Sequence, residues 1–595
     1  MKLRRGAIDE AVVQLPRTRL IPDPRQAALD LPRFASQLIG AAGGAVDPRQ
    51  IERLFVDYSL TGGSLRRMLV VEGGTDERTF AYTVARQLQI PLANLRDEAP
   101  SAAATAWVAA GDAHRLSVLP MSYDGSTLMV AVLDPFDAEV LQLLESLAVP
   151  QVALAIALEF EMAASINTAY PALAEVGHHL EEFAKSDVGS ALSDAAELFT
   201  DVGDDDAPVI QVVNKIVTQA LRERSSDVHI EPVDDRVRVR FRIDGRLKEV
   251  LALPVNIGPA LVSRIKIMAG MNIIERRRPQ DGQFQLTVDG RDLDVRVSTT
   301  ATIWGEKTVM RLLDKSRSLH RLGDLGMPND THEIYSRIVQ SPFGMVIVSG
   351  PTGSGKTTTL YATLTEINRP DINVTTIEDP VEYIFPSINQ IQISEQAGLT
   401  FATGLKSILR QDPDVILVGE VRDVETARIA VQSALTGHLV LSSVHAIDSV
   451  SALYRLLDMG IESFLVTSSI IGVVAQRLVR RICPSCKETY QPTALEVTTF
   501  RRMAGESLGE WVRGAGCNFC TGTGFHGRIG VYEVLAVNDD IRALVVAGHT
   551  PREARAAAVA KGLRTLQMEA VRLVQEGHTT IDEVVRHVFV TEDLA

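Results

Sequence analysis

The sequence GPTGSGKT at 350–357 has the composition and spacing of a phosphate-binding loop. Its glycines let backbone N–H groups converge on a β-phosphate, and the helix that follows adds the positive end of its dipole. The apolar run at 345–348 predicts a buried parallel strand before the loop, and residues 359–364 favour a helix after it. We expect nucleotide contacts from Gly350, Pro351, Thr352, Gly353, Ser354, Gly355, Lys356, Thr357 and Thr358.

Within this loop, Lys356 is expected to reach the β- and γ-phosphates and Thr357 to offer its hydroxyl to Mg²⁺. Two carboxylates follow further apolar runs: Glu420 comes after 415–418, and Glu378 ends the run that begins at 374. Acids at strand ends beside such a loop organise the metal and the attacking water, so we predict Glu420 as a Mg²⁺ ligand and Glu378 as the base. Taken alone, either acid could equally be a solvated strand end.

His438 and His445 bracket a fourth apolar segment at 439–444. A lone histidine is more often a satisfied polar residue than a functional one. Two at the ends of one predicted strand beside a nucleotide site favour contact with the γ-phosphate or a relay to it.

The chain has four cysteines, arranged as C-x-x-C, thirty residues and a second C-x-x-C. Two thiolate pairs from tight turns place four soft ligands around Zn²⁺ and leave no coordination position open. The alternatives are two redox pairs or inert buried thiols. Because the gap is long for a zinc ribbon, some structure must fill it. The predicted zinc ligands are Cys483, Cys486, Cys517 and Cys520.

Length and composition bound what can position these groups. A chain of 595 residues suggests about four domains, and 46% hydrophobic with 23% charged residues is typical of globular proteins. The net charge of −15 argues against a bulk polyanion partner such as nucleic acid. The N-terminus meets acidic residues before a signal-peptide core can form, and no uncharged apolar run is long enough to span a bilayer, so we expect a cytosolic protein.

The chain divides by composition into successive regions. Residues 1–55 are proline-rich and poorly defined, 56–172 indicate a small α/β domain with a helix near 77–89 and a strand at 128–133, and 173–205 form an acidic linker. A helix-like run follows Pro208, and at 237–242 strict alternation puts Arg238, Arg240 and Arg242 on one strand face, which is either solvated or opposite an anion. Near the C-terminus, Thr550 and Thr580 predict capping boxes.

Together these motifs resemble the secretion ATPases that power type II secretion and type IV pilus assembly. The resemblance covers about 205–595 and is carried by the phosphate-binding loop and by APVI at 207–210, SDVHIEP at 226–232, FRIDG at 241–245, PQDG at 279–282, GEK at 305–307, TIEDPVEY at 376–383, LVGEVRD at 417–423, TGH at 436–438 through His445, and GRIGVYE at 527–533.

The resemblance implies an α/β fold in which a PAS-like α+β arginine domain at 206–318 joins a RecA-like P-loop motor domain at 319–595, with the tetracysteine zinc insert near 480–530. It implies an ATP-hydrolysing homo-hexamer in which Glu378 is the base, Glu420 lies near Mg²⁺, and His438 and His445 form a histidine box. Arginines expected to reach a nucleotide are Arg240, Arg242, Arg264 and Arg278.

The tetracysteine element and the 56–172 domain make the chain resemble an export or pilus-extension motor. The implied partners are an inner-membrane platform protein and its cytoplasmic docking partner, so the membrane is met only through protein contacts on the cytoplasmic side. Some members of the family that this chain resembles bind cyclic di-GMP through a motif that contains Arg-Leu-Gly. The corresponding stretch here, at 65–73, lacks that glycine, which argues against cyclic di-GMP binding. The alternatives are a nucleic-acid translocase or helicase on a RecA-like core, and a nucleotide-binding regulator without turnover.

Overall fold

The computed structural model describes residues 19–21, 53, 64–72, 75–176, 208–314 and 321–588. Most of the predicted N-terminal extension and of the acidic linker therefore lie outside the described residues. The described chain builds three main sheets of four, six and seven strands and a two-stranded ribbon. The mixed α/β architecture predicted from the sequence is confirmed.

The N-terminal unit is a four-stranded mixed sheet in the order β1-β4-β3-β2. Asp134, two residues after the end of β3, is buried and accepts hydrogen bonds from the Ser64 hydroxyl and the Arg66 amide at 2.8 Å each, which ties residues 64–66 to the sheet. The predicted helix and strand of this region are both present. Its strands are β1 (Arg19–Ile21), β2 (Val118–Tyr123), β3 (Thr127–Val132) and β4 (Gln151–Ile156), and its helices α1 (Glu77–Leu88), α2 (Ala102–Thr105), α3 (Ala110–Leu116), α4 (Ala138–Ser146) and α5 (Glu159–Ala169).

The second unit is a six-stranded antiparallel sheet in the order β7-β6-β5-β10-β9-β8. Apolar residues of its strands pack in one core with the two helices. The core also takes in Val176, so the packed chain extends slightly into the predicted linker. The elements are α6 (Pro208–Arg222), β5 (Asp227–Pro232), β6 (Val237–Ile243), β7 (Arg246–Leu253), α7 (Gly258–Met268), β8 (Gln280–Val288), β9 (Arg291–Thr302) and β10 (Gly305–Asp314).

The third unit is a seven-stranded sheet in the order β13-β12-β14-β15-β11-β16-β19, in which only β19 is antiparallel to its neighbour. Separate apolar cores line its two faces, as buried parallel strands require. The elements up to β16 are α8 (Asn329–Val339), β11 (Gly344–Ser349), α9 (Lys356–Ile367), β12 (Val374–Glu378), β13 (Asn389–Gln392), α10 (Phe401–Ile408), β14 (Val415–Val418), α11 (Val424–Leu435), β15 (Leu439–Val444), α12 (Ser449–Asp458), α13 (Ser463–Ser469) and β16 (Ile470–Ile482).

The thirty residues between the cysteine pairs do contain structure. Strands β17 (Lys487–Thr489) and β18 (Val512–Gly514) pair as a ribbon around α14 (Ala494–Ala504), and the long strand β19 (Phe525–Ala536) then rejoins the main sheet. The chain closes with α15 (Asp539–Val546), α16 (Pro551–Ala560), α17 (Leu566–Gln575) and α18 (Ile581–His587).

The two predicted capping boxes have different outcomes. Thr550 and Glu553 form the reciprocal bonds at the start of α16, so that prediction is confirmed. Thr580 makes no side-chain capping bond to α18, so the prediction at Thr580 is wrong. The reciprocal half of the box would need the Glu583 carboxylate, which is buried and binds the Arg480 guanidinium at 2.6 Å instead.

Contacts between units hold the described parts together. The Arg296 guanidinium donates to the Val381 carbonyl at 3.3 Å, and the Gly527 amide donates to Asp244 at 3.0 Å, so the six-stranded unit touches the seven-stranded one at two places. The ring of Phe160 lies edge-on to Phe519, 5.5 Å between centroids. Within the described residues, no helix combines the length and apolarity needed to cross a bilayer.

Candidate functional site

The phosphate-binding loop joins β11, all of whose residues are buried, to the first residue of α9. Gly355 has a φ of 88°, a left-handed conformation that other residues adopt at a cost. A Cβ on Gly350 would lie 2.5 Å from the Ser354 hydroxyl, so this position has no room for a side chain. The predicted strand, loop and helix are therefore present in the order that the motif requires.

The hydrogen-bond donors of the loop, Lys356 and Ser354, are bonded only within the loop or not at all in the described structure. Lys356 Nζ donates to two carbonyls of its own loop, Gly350 at 2.9 Å and Pro351 at 3.2 Å, and burial lowers its pKa. The Ser354 hydroxyl is buried and, within the described structure, has no hydrogen-bond partner. Thr357 is half-buried, whereas Pro351, Thr352, Gly353 and Thr358 are exposed. These groups at a helix N-terminus fit a phosphate chain.

Glu420 lies near Lys356, and His445 lies near Glu420. Glu420 follows β14 by two residues, and its negative charge raises the pKa of Lys356 against the larger effect of burial. The Arg422 guanidinium contacts one of its carboxylate oxygens, and His445 Nε2 lies 3.7 Å from the other. A carboxylate and a hydroxyl at a strand end and a helix start, here Glu420 and Thr357, are a donor set that suits Mg²⁺.

Glu378, at the end of β12, is only 4% exposed. Its carboxylate accepts hydrogen bonds from the Tyr361 hydroxyl, from the Thr376 hydroxyl at 2.6 Å and from the Gln390 amide at 3.3 Å. Tyr361 belongs to α9, the helix that begins at Lys356. The predicted base is thus linked to the phosphate-binding helix by one side chain.

His438 does not lie with the other predicted residues near the phosphate-binding loop. The register of β15 on β11 pairs Leu439 with Gly344 and Val444 with Ser349, so the phosphate-binding loop adjoins the end of β15 that leads to His445. His438 lies at the other end of that strand, where its Nδ1 is 2.9 Å from the Ser433 carbonyl. Within one chain, the structure brings His445 but not His438 to the end of β15 beside the loop, and the contact or relay from His438 to the γ-phosphate stays a prediction.

The four cysteines form a second cluster. Their sulfurs all lie within 4.8 Å of one another, with Cys483 to Cys517 at 3.9 Å and both Cys486 to Cys520 and Cys517 to Cys520 at 3.8 Å. These distances exclude disulfides, and sulfurs bound about 2.3 Å from one tetrahedral centre lie about 3.8 Å apart. Burial raises the pKa of the Cys483 thiol to about 11, an effect that a bound cation would oppose.

Backbone amides support two of the sulfurs. Gly516 donates to Cys486 at 3.3 Å, and Cys517 and Gly524 donate to Cys520 at 3.2 Å each. Such bonds favour thiolate ligands. The cluster therefore fits a closed four-sulfur metal site.

Comparison with known proteins places the chain in a family. The family model described as "Type II/IV secretion system protein" matches residues 202–586, more than half of the chain. The chain belongs to this family. Its members include the type IV pilus assembly ATPase PilB of Myxococcus xanthus (strain DK1622), to which the chain is 38% identical over 548 residues, covering 91% of this chain and 96% of that protein.

The chain is also similar to a second curated relative and to solved structures. The type II secretion system protein HxcR of Pseudomonas aeruginosa is 47% identical over 402 residues, which is 67% of this chain and 82% of HxcR. Among solved structures, the ATPase DotB of Legionella pneumophila aligns with 62% of this chain and 94% of its own, with a TM-score of 0.47 and 20% identity. The MshEN domain model matches 88–176, beyond the 65–73 stretch, so the argument against cyclic di-GMP stays a prediction.

Two of the predicted arginines of this secretion-family chain are paired with carboxylates of the neighbouring strand. Arg240 donates to Glu231 at 2.9 Å, and Lys307 Nζ lies 3.0 Å from the same carboxylate. Burial alone would raise the pKa of Glu231, but these hydrogen bonds and charges lower it to about 2. Arg242 pairs with Asp227 at 3.4 Å. The anions opposite the arginine face are therefore carboxylates of the neighbouring strand.

The other two predicted arginines, Arg264 and Arg278, differ from Arg240 and Arg242 in their surroundings. Arg264 has a buried Nε without a hydrogen-bond partner in the described part of the chain, and Arg278 is exposed. None of the four is hydrogen-bonded to the loop at 350–357 in the described structure, and their contact with a nucleotide stays a prediction.

Three residues of the site were missed by sequence reasoning. Gln476, on β16, donates to the Ser354 carbonyl at 2.7 Å and accepts from the Thr359 hydroxyl at 2.8 Å. Arg477 is buried beside Lys356, and desolvation lowers its pKa. The third is Tyr361. A polar residue inside the apolar run of β16 was the available signal for the first two, but the run alone does not say what they contact.

Proposed function

We propose that this chain is a Mg²⁺-dependent ATP hydrolase whose turnover drives pilus assembly or type II protein secretion. The observation that carries the proposal is that Glu420 acts on Lys356 of the phosphate-binding loop, while Glu378 is hydrogen-bonded to Tyr361 of the helix that the loop begins. Membership of a family that contains pilus-assembly and secretion ATPases supports it. The same membership argues against a nucleic-acid translocase.

Binding begins with an exchange of hydrogen bonds. Lys356 leaves the Gly350 and Pro351 carbonyls and donates to phosphate oxygens, and the Ser354 hydroxyl gains the partner that it lacks. Thr357 and Glu420 would hold Mg²⁺, which offsets negative charge on the β- and γ-phosphates.

In the hydrolytic step, the oxygen of a water molecule bonds to the γ-phosphorus while the bond from phosphorus to the bridging oxygen breaks. The electron pair of that bond leaves with ADP, and the water proton passes to Glu378. Among Arg240, Arg242, Arg264 and Arg278, those that reach a neighbouring subunit's site would offset the charge of the transition state.

The assembly that we propose is a homo-hexamer at the cytoplasmic face of the inner membrane. It would meet an integral platform protein and that protein's cytoplasmic docking partner through protein contacts, and it would not use nucleic acid. Within the described structure, none of the four arginines is hydrogen-bonded to its own chain's loop, and the Arg264 Nε has no hydrogen-bond partner, which supports a site completed by a neighbour.

Two substitutions in the full chain separate binding from turnover. Lys356→Ala is expected to remove ATP binding, whereas Glu378→Gln is expected to bind ATP and lose at least about 100-fold in phosphate release. Lys406→Ala, at an exposed lysine paired with Glu425, is the matched control and should be unchanged. Nucleotide binding without phosphate release by the wild-type chain would support the non-hydrolysing regulator, and ATPase stimulation by nucleic acid at low salt would support the translocase.

We also propose that Cys483, Cys486, Cys517 and Cys520 hold one structural Zn²⁺ per chain. Elemental analysis of purified protein should give one zinc, released by a thiol-modifying reagent, and Cys517→Ser should reduce the bound zinc and expose the insert to proteolysis. Intact, protease-resistant protein with no bound metal would contradict this assignment.

A further inference from the structure

Tyr361 is a buried tyrosine on the helix that starts at the phosphate-binding loop. It lies five residues after Lys356 on α9 and is 2% exposed. Its ring meets Phe385 and Tyr383 edge-on, with centroids 5.3 and 6.0 Å away. The hydroxyl leaves this apolar contact and reaches the acidic strand end of β12.

The hydroxyl is shared between two groups of that strand end. It donates to Glu378 Oε2 and accepts from the Glu382 amide at 3.2 Å. The other two donors to Glu378, Thr376 and Gln390, belong to β12 and β13. Among the hydrogen bonds of the Glu378 carboxylate in the described structure, the one from Tyr361 therefore connects it to the nucleotide-binding helix.

We propose that Tyr361 is a positioning residue for Glu378, an inference that rests on the proposed ATPase function. When phosphate binding shifts the start of α9, the tyrosine moves with the helix and re-aims the carboxylate toward the attacking water. Burial keeps water from replacing this hydrogen bond, so the helix and the carboxylate move together.

Removing the Tyr361 hydroxyl while keeping the ring distinguishes a positioning role from a packing role. A phenylalanine would make the same ring contacts with Phe385 and Tyr383, so only the link to Glu378 needs the oxygen. Tyr335, on α8, is a matched control because it is fully buried and its hydroxyl also bonds to α9, to Thr363 at 2.7 Å. Thr363 contacts none of the predicted catalytic groups through the hydrogen bonds described for it.

The experiment compares Tyr361→Phe with Tyr335→Phe in the full-length chain, with kcat, KM for ATP and equilibrium nucleotide affinity as readouts. Tyr361→Phe is expected to lower kcat about 10-fold or more, the usual effect of losing a hydrogen bond to a buried charge, with KM and affinity changed less than about 2-fold. Tyr335→Phe should keep the wild-type kcat. Equal kcat in the two variants, or a loss of nucleotide affinity in Tyr361→Phe, would overturn the inference.

A double variant tests whether Tyr361 acts through Glu378. In the Glu378→Gln background, Tyr361→Phe should cause no further loss in single-turnover hydrolysis, because coupled residues are not additive. An additive loss would show a structural role and overturn the inference. If the wild-type chain and Tyr335→Phe release no phosphate at all, the proposed function itself fails, which is a different result from the loss of activity in Tyr361→Phe alone.

Discussion

At the scale of single residues, Gln476 ties the phosphate-binding loop to the neighbouring strand. It is 1% exposed and satisfies both the Ser354 carbonyl and the Thr359 hydroxyl. Gln476→Leu keeps the volume but leaves those two groups unpaired, so we expect a loss of about 2 kcal/mol in the free energy of unfolding. Because the loop loses its support, KM for ATP should also rise several-fold. Urea unfolding and steady-state kinetics measure the two effects.

The control for this prediction is Gln432→Leu, at an exposed glutamine of α11. It introduces the same chemical change without unpairing a buried group and should alter neither quantity. A Gln476→Leu chain as stable as the wild type would contradict the assigned role.

The sequence was sufficient to predict those site residues whose role follows from their immediate neighbours in the chain. Lys356 and Glu420 were predictable because each lies within a few positions of a recognisable sequence feature: the phosphate-binding-loop motif for Lys356 and the end of an apolar run for Glu420. Gln476 and Tyr361 were not, because their partners are 122 and 17 positions away along the chain and come near only after the sheet forms. His438 and His445 show a related limit: the sequence places two histidines at the ends of one strand, but only the sheet register shows that the phosphate-binding loop adjoins the His445 end.

At the scale of elements, the N-termini of α16 and α18 show that the same local sequence motif forms a capping box in one helix and not in the other. Both have Thr-x-x-Glu, but only Thr550 caps its helix. Thr550→Ala should therefore lower the free energy of unfolding by about 1 kcal/mol. Thr580→Ala, which removes no capping bond, should lower it by less than about 0.5 kcal/mol. Chemical unfolding followed by circular dichroism compares the two.

The same comparison has a reciprocal part. Glu583→Gln should be far more damaging than Glu553→Gln, because breaking a buried ion pair leaves the Arg480 guanidinium uncompensated and costs about 3–5 kcal/mol. Equal effects of the two threonine substitutions would mean that the local cap, rather than the ion pair, governs α18. The fold class followed from the sequence because apolar strands and glycine-rich turns are local features, whereas this competition is tertiary.

At the scale of the whole molecule, the proposal that a neighbouring subunit completes the nucleotide site can be tested directly. If a neighbouring subunit supplies the arginines, a working site needs Glu378 from one chain and arginines from another. Two inactive variants can then complement each other. One is Glu378→Gln, and the other replaces Arg240, Arg242, Arg264 and Arg278 by lysine, which keeps the charge opposite Glu231 but loses the planar fork.

Each variant alone should release phosphate at a small fraction of the wild-type rate. Co-expression at equal levels places an intact Glu378 opposite intact arginines at about a quarter of the interfaces of a randomly assembled ring, so ATPase activity should return to a measurable share of the wild-type rate. Differentially tagged subunits allow mixed assemblies to be purified and assayed. Mixed assemblies no more active than the average of the two variants would place the whole site within one chain, and the arginine face would then serve only to bind Asp227 and Glu231.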